Sequence, residues 1–404
     1  MNVIMVCESA LVSGGAEKVA IQEALALRHR GHRVGFIAAN EIAFGGLTDA
    51  GVELLLLDTK SFFEETDRRQ KLQKMIGNKG VEARVRAFLG AFEPSNTIVH
   101  LHTFRLRLSG IVVHIAQDMG FSTLIHCHDY SPVCPTSLLY DHRAGGNCGR
   151  KPMSLSCITC ECQNQAWKYK LPKLTSHFWN QSIWKINRKS KGLIHISELE
   201  RRTTESSCGA MTKGFAVPPI SDFQSTFRVL AETNEVFLFI GRLTHEKGVE
   251  AFLTSASELG IGAVVVGDGP LLDDLKSRFP AVRFTGWLDS EGVRQEFMKA
   301  RALVVPSLWR ETLCLSVIDA LNFGVPCIVS ETVGAKEFIL DGENGVIFSA
   351  GALTSSLSRF SDDSFVRNLS EKAFQVFAGS PPSIERHVDA LLKVYEEALG
   401  RVAV

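Results

Sequence analysis

Short, unbroken apolar runs recur along the chain, and most are followed by a stretch whose apolar positions return every three or four residues. In the first half the runs are VIMVC (3–7), RVGFIAA (33–39), TIVHLH (97–102), STLIHCHD (122–129) and GLIHIS (192–197). Runs of this kind, apolar on both alternating faces, fit strands buried in a parallel sheet rather than half-exposed antiparallel ones. Between the first two runs stand a glycine loop, SGGAE, and a helical pattern through Val19 to His29 that Gly31 ends. This strand–loop–helix–strand order predicts the start of a doubly wound α/β sheet.

FAVPPISDF, around Pro218 and Pro219, breaks the pattern and reads as a linker. A second series follows it: VFLFIGR, AVVVGDGP, VRFTG, ALVVPS, PCIVS and NGVIF. The last segment, SIERHVDALLKVYEEALGR, has the spacing of an amphipathic helix. The division expected is residues 1–216, residues 217–384, and a C-terminal helix over 385–404. The fold class is α/β, two Rossmann-like doubly wound domains facing a central cleft, with ligands at the carboxyl ends of the strands.

A length of 404 residues exceeds one ordinary core and agrees with two domains. With 45% apolar and 22% charged residues the composition is that of a globular protein. No apolar run reaches the roughly 18 residues that span a bilayer. The first residues, MNVIMVCESA, lack the shape of a signal peptide, so the expected location is cytoplasmic. The first half is net basic and the second net acidic. An anionic partner for the first half and uneven solvated surface explain this equally well.

The residues that carry chemistry stand at predicted strand ends. Arg242 follows VFLFIG, and Lys247 precedes Gly248 at the start of a helix. Two cations beside a helix N-terminus make a diphosphate cradle. Gly14 and Gly15 form a second loop, able to bring backbone amides close to an anion. PSLWRE ends another strand, placing Glu311 in the following loop and Asp319 on the helix after it. Buried carboxylates there would accept hydrogen bonds from sugar hydroxyls, and the amides of Leu313, Cys314 and Leu315 would face phosphate. Taken singly, each of these is also compatible with ordinary surface charge or a helix cap.

GRLTHEKG, VVVGDGP, FTGW, PSLW-x-E, E-x7-D followed by ALNFGVPCIVS, and DGENG occur in one order between Gly241 and Gly345. With GGAE and HDY in the first half, this set resembles the retaining, nucleotide-sugar-dependent glycosyltransferases of family 4, which have the GT-B fold. The resemblance implies a hexosyltransferase-type enzyme (class EC 2.4) of bacterial polysaccharide or glycolipid synthesis. It gives Arg242 and Lys247 the donor diphosphate, Glu311 the sugar hydroxyls and Asp319 the ribose. Gly14 and Gly15 would meet the phosphates or the sugar, and His128 would lie beneath the sugar near the reacting carbon. It also implies that the C-terminal helix returns to the first domain. The family usually has Glu where Asp319 stands, Phe-Gly at Leu313-Cys314 and a second Gly at Ala335. These departures motivate an alternative, a catalytically weak nucleotide-sugar-binding partner of another transferase.

No D-x-D occurs, so the usual metal-bridging motif is missing and no catalytic cofactor is expected. Cys134, Cys148, Cys157 and Cys160 include a C-x2-C; they read as a structural zinc set or as free thiols. The stretch from Trp167 to Gly192 is rich in Lys, Arg and aromatics and has no acid. It reads as a contact for an anionic membrane surface, placing the protein peripherally on the cytosolic face, or as a basic helix packing its aromatics inward. No recognition module accompanies the charge, so no nucleic acid is expected as partner. The expected partners are a nucleotide-sugar donor and a glycan or lipid-linked acceptor.

Overall fold

The computed structural model describes residues 1–60, 63–65, 67, 79–164, 166–208, 212–378 and 382–401. The first sheet comprises β1 (Asn2–Cys7), β2 (Arg33–Ala38), β3 (Glu53–Leu56), β4 (Thr97–Leu101), β5 (Ser122–His126), β8 (Gly192–His195) and β9 (Gly214–Ala216). Its order is β3-β2-β1-β4-β5-β8-β9 and every pairing is parallel. A small antiparallel pair, β6 (Tyr140–Asp141) and β7 (Gly146–Asn147), stands apart in the cysteine-bearing segment.

The second sheet contains β10 (Val236–Ile240), β11 (Gly262–Val266), β12 (Arg283–Gly286), β13 (Ala300–Val305), β14 (Cys327–Ser330) and β15 (Gly345–Phe348). Its order is β12-β11-β10-β13-β14-β15, again all parallel. Each apolar run of the sequence is a strand here. β4, β13 and β14 are buried at every position, the burial that continuous apolar runs require. β3 and β9 are edge strands of four and three residues with no position fully buried; the run Leu54–Leu57 at β3 was passed over, and β9 is too short to stand out.

The topology fixes where ligands go. β1 lies between β2 and β4, and β10 between β11 and β13, so each sheet reverses its winding at these strands. A crevice opens at the carboxyl end of a strand where the winding reverses. The loop leaving β1 carries Gly14 and leads into α1 (Gly15–His29), and the loop leaving β10 carries Arg242 and Lys247.

The chain passes between the domains twice. Asp222, in the linker, accepts from Gln22 of α1 at 2.9 Å, pairs with Lys18 of α1 and accepts from Ser290 of the second domain at 2.7 Å. Near the other end, α7 (Ile384–Ala398) packs on the first domain. Its Val388, Leu391, Val394, Tyr395 and Ala398 share one core with Ala20, Ile21, Ala24 and Leu27 of α1. Arg30 pairs with Asp389 at 2.5 Å and Lys213 with Glu397, both at exposed positions where such pairs contribute little. The apolar face of α7 therefore supplies most of its attachment.

Candidate active site

Lys247 ends a short 3-10 turn over His245–Lys247 and is followed by Gly248 with φ +70°. A Cβ on Gly248 would lie 2.0 Å from the carbonyl oxygen of Pro306, so only glycine permits this approach of the turn to the end of β13. The turn brings Lys247 Nζ into contact with Glu311 Oε1, while Ser307 donates to Glu311 Oε2. Glu311 is 6% exposed. Burial opposes the charge on Lys247, but the Glu311 carboxylate beside it leaves its pKa above the ordinary value. Arg242 is exposed and its side chain makes no hydrogen bond or ion pair among the described residues, yet lies close enough to oppose the Lys247 charge. The indole of Trp309 lies under Lys247, 5.6 Å from Nζ.

The backbone of Glu311 is fixed as firmly as its side chain. Its amide donates to Thr332 O at 3.1 Å, and its carbonyl accepts from Gly334 at 2.8 Å. A Cβ on Gly334 would meet Thr312 O at 2.1 Å, and Ala335 donates to Leu313 O at 2.8 Å. Leu313 is buried in the second-domain core, and α5 (Leu315–Asn322) begins immediately after Cys314. Cys314 has φ +81°, a left-handed conformation that L side chains rarely adopt. It stands where the family's glycine was expected, and burial pushes its thiol up to about 12, which makes it inert.

Asp319, 6% exposed on α5, accepts from Ser221 Oγ at 2.7 Å and from the Asp222 amide at 3.2 Å. It thus holds the interdomain linker. Burial pushes its carboxyl up to about 6, against the opposing influence of Lys18 and Ser221.

The first domain meets this loop directly. Thr312 Oγ1 donates to the carbonyl of His128 at 2.8 Å, and Ser197 Oγ donates to the carbonyl of Thr312 at 2.5 Å. Glu337 accepts from the Leu199 amide at 2.8 Å, at the start of α3 (Glu198–Cys208). Asn147 accepts from the Arg310 amide at 2.8 Å, and Tyr130 packs edge-on against Trp309 at 6.3 Å. A Cβ on Gly15 would sit 3.5 Å from Leu315, so the glycine loop faces the start of α5, while Gly14 is the extended residue preceding α1. His128 Nε2 is 2.8 Å from His102 Nδ1. Burial, then the neighbouring His102, hold His128 well below the usual histidine range, so its ring is neutral near pH 7.

Contacts tie Gly15, His128, Lys247, Leu313, Cys314 and Leu315 to the loop around Glu311, Arg242 lies near Lys247, Gly14 precedes Gly15, and Asp319 holds the linker from the helix that follows. Sequence reasoning passed over Ser197, Thr312, Asn147, Trp309 and His102, whose roles come from contacts distant in sequence. HxH at 100–102 was the one available signal for the last.

Cys134, Cys148, Cys157 and Cys160, with Cys162, line one narrow cavity. Two sets of three or more His, Cys, Asp or Glu donors converge within 4.8 Å among the described residues, and neither includes these cysteines. Lys170, 1% exposed, lines the same cavity. It donates to the carbonyls of Cys157 and Cys160, the latter at 2.9 Å, and to Cys160 Sγ at 3.1 Å. Lys170 is thus a cation placed among these sulfurs.

Residues 234–363 match the sequence family described as glycosyl transferases group 1. Among curated proteins, the chain is 25% identical over 176 residues to the alpha-D-kanosaminyltransferase of Streptomyces kanamyceticus, 40% of this chain and 45% of that one. It is 35% identical over 109 residues to the GDP-mannose-dependent alpha-mannosyltransferase of Corynebacterium glutamicum, 27% of this chain and 26% of that one. The matched segments span less than half the length of either relative. Among solved structures, sucrose-phosphate synthase from Thermosynechococcus elongatus superposes with a TM-score of 0.72 at 16% identity, covering 99% of both chains. Anabaena HepE in complex with UDP and glucose gives 0.69 at 15% identity, over 98% of this chain and 99% of that one. The architecture is the GT-B fold, and the second-domain segment 234–363 is similar to the group 1 glycosyl transferases.

The strain at Cys314 is measurable. A left-handed conformation costs an L residue roughly 1–2 kcal/mol. Cys314→Gly should raise the unfolding free energy by up to about 1 kcal/mol after the entropy of glycine is counted, whereas Cys314→Ala, which keeps the Cβ, should not. Chemical denaturation of both variants checks this; equal effects would place the cost elsewhere.

Proposed function

We propose that the chain transfers a sugar from a nucleotide-sugar donor to a glycan or lipid-linked acceptor with retention, in cell-surface polysaccharide or glycoconjugate synthesis. The observation that carries this reading is the meeting of Lys247, Glu311 and Arg242 at the carboxyl end of β10, within the segment that matches the family. The known proteins named above supply its chemistry: two of them are transferases by name, and one neighbour holds UDP and glucose.

In this reading the donor lies against the second domain. Its diphosphate takes Lys247 from Glu311 and engages Arg242, with the amides at the start of α5 and the glycine loop completing the cradle. Glu311, released, accepts hydroxyls of the sugar. Asp319 binds the ribose while still holding the linker, so donor binding and domain registration share one carboxylate. His128 stands beneath the sugar as a neutral ring, able to exchange hydrogen bonds without repelling the positive charge that develops at the reacting carbon. As the diphosphate leaves, its oxygen takes the acceptor's proton, which requires no side-chain base. The alternative, a binding partner without turnover, keeps the diphosphate contacts and lacks the transfer. Glu311→Ala separates them: transfer or donor hydrolysis should fall by 100-fold or more, on the order of the loss of one charged transition-state contact, and unchanged turnover would overturn the assignment.

The acceptor side carries a second element of the proposal, a peripheral membrane contact. α2 (Lys170–Phe178) and the turns after it expose Leu171, Phe178 and Ile183, each between 44% and 49%, beside exposed Lys168, Lys185, Arg188 and Lys189. Lys170 and Trp184 point inward instead, Trp184 stacking on His114 at 5.0 Å. Among the described residues no helix is long and apolar enough to cross a membrane, so the contact would be superficial. Co-sedimentation with vesicles containing phosphatidylglycerol should be salt-sensitive and weakened by Phe178→Asp with Ile183→Asp. Equal recovery with neutral and anionic vesicles would contradict it.

A further inference from the structure

One side chain beyond His128, four buried groups converge that sugar transfer does not use. They are Glu23 on α1, His100 on β4, His102 just past it and His126 ending β5. Their exposures are 0%, 0%, 3% and 2%. One donor atom from each lies within 4.8 Å of the others.

The spacing of these atoms is informative. Glu23 Oε2 is 3.2 Å from His100 Nδ1 and 3.3 Å from His102 Nε2, and Glu23 Oε1 is 3.5 Å from His126 Nδ1. Yet Glu23 Oε2, His102 Nε2 and both ring nitrogens of His126 have no hydrogen-bond partner among the described residues. The atoms are near one another without being aimed at one another, the relation of ligands whose lone pairs share a common target. With zinc–ligand distances of about 2.0–2.1 Å, tetrahedral ligand atoms stand about 3.4 Å apart. Leaving several buried polar atoms unpaired is otherwise unfavourable, by about 1–3 kcal/mol each.

We propose that Glu23, His100, His102 and His126 bind a divalent transition-metal cation of the zinc class. Three imidazoles and one carboxylate select such an ion over magnesium or calcium. The surrounding groups suit an outer shell. His387 on α7 holds Glu23 Oε1 at 2.8 Å and is itself 2.6 Å from the carbonyl of Pro218. Tyr395, also on α7, reaches His100 Nδ1 at 2.7 Å, and binding at that nitrogen displaces its hydroxyl. The ion ties α1, β4 and β5 together beneath α7. It also fixes a tautomer: with Nε2 on the metal, His102 carries its proton on Nδ1 and donates it to His128 Nε2. His128 then carries its own proton on Nδ1. The use of that proton rests on the donor reading; the metal site does not.

The test uses the full chain, purified without a histidine tag, and reads metal rather than activity. Elemental analysis after gel filtration should find about one equivalent of zinc or a first-row neighbour. Cobalt(II) loaded in its place should give visible d–d bands without a thiolate charge-transfer band. Loss of an outer-shell partner weakens metal affinity about 10–100-fold, so loss of a ligand in His126→Ala or Glu23→Gln should weaken it at least 100-fold, with Cys157→Ser unaffected. Should either ligand variant fail to fold, the wild-type cobalt spectrum still decides. No saturable binding of zinc or cobalt, or a thiolate band that Cys157→Ser removes, would overturn the proposal, whatever the outcome of sugar-transfer assays.

Discussion

The contact between Lys247 and Glu311 is the constraint around which the cleft is built. Both groups are largely withdrawn from water, with side-chain exposures of 22% and 8%, so each requires the other. Removing one partner of a fully buried pair costs about 3–5 kcal/mol, and the partial exposure of Lys247 places this one at the lower end. Such a pair is costly to break and yet exchangeable: another anion presented to Lys247 replaces Glu311 without leaving an ammonium unpaired. A diphosphate is such an anion. In the proposed reading, the free protein holds the cation that would bind the diphosphate in position with the carboxylate that the sugar would later engage.

Much else is registered to that residue. Ser307 takes the second oxygen of Glu311, and the 332–334 segment fixes its backbone. Thr312, next in the chain, binds the His128 carbonyl and accepts from Ser197, so the first domain is aligned on the same loop. Asp319, at the other end of the motif, performs the equivalent service for the linker through Ser221 and the Asp222 amide. In the proposed reading the two carboxylates are points where donor chemistry and domain registration coincide, and donor binding that redirected either one would alter the contact between the domains.

The strands were legible in the sequence because a parallel strand covered on both faces is apolar at most positions, and β1, β4, β10, β13 and β14 follow this. Of the edge strands, β9 is too short to stand out, and β3 was passed over although Leu54–Leu57 mark it. Glu311 and Lys247 were legible because they sit at predictable places, a strand end and the turn before a helix. Thr312, Ser197 and Glu23 were not, because the partners that define their roles lie far along the chain, 184 positions between Thr312 and His128 and 364 between Glu23 and His387. The cysteines, close in sequence, do gather around one cavity, whereas the Lys170 ammonium that joins them there had no signal in their spacing. Cys314 shows the reverse case: a residue noted as a departure stands in the left-handed conformation that explains why glycine was expected there.

The central claim is that Glu311 and a donor diphosphate compete for Lys247, and calorimetric titration of UDP, GDP and ADP tests it most directly. The nucleotide that binds the wild type should lose about 10–100-fold in affinity on Lys247→Met, the worth of one charged hydrogen bond. Glu311→Gln should instead bind it as tightly or more tightly, because the ammonium is freed. Equal weakening by both substitutions, or indifference to Lys247→Met, would contradict the account.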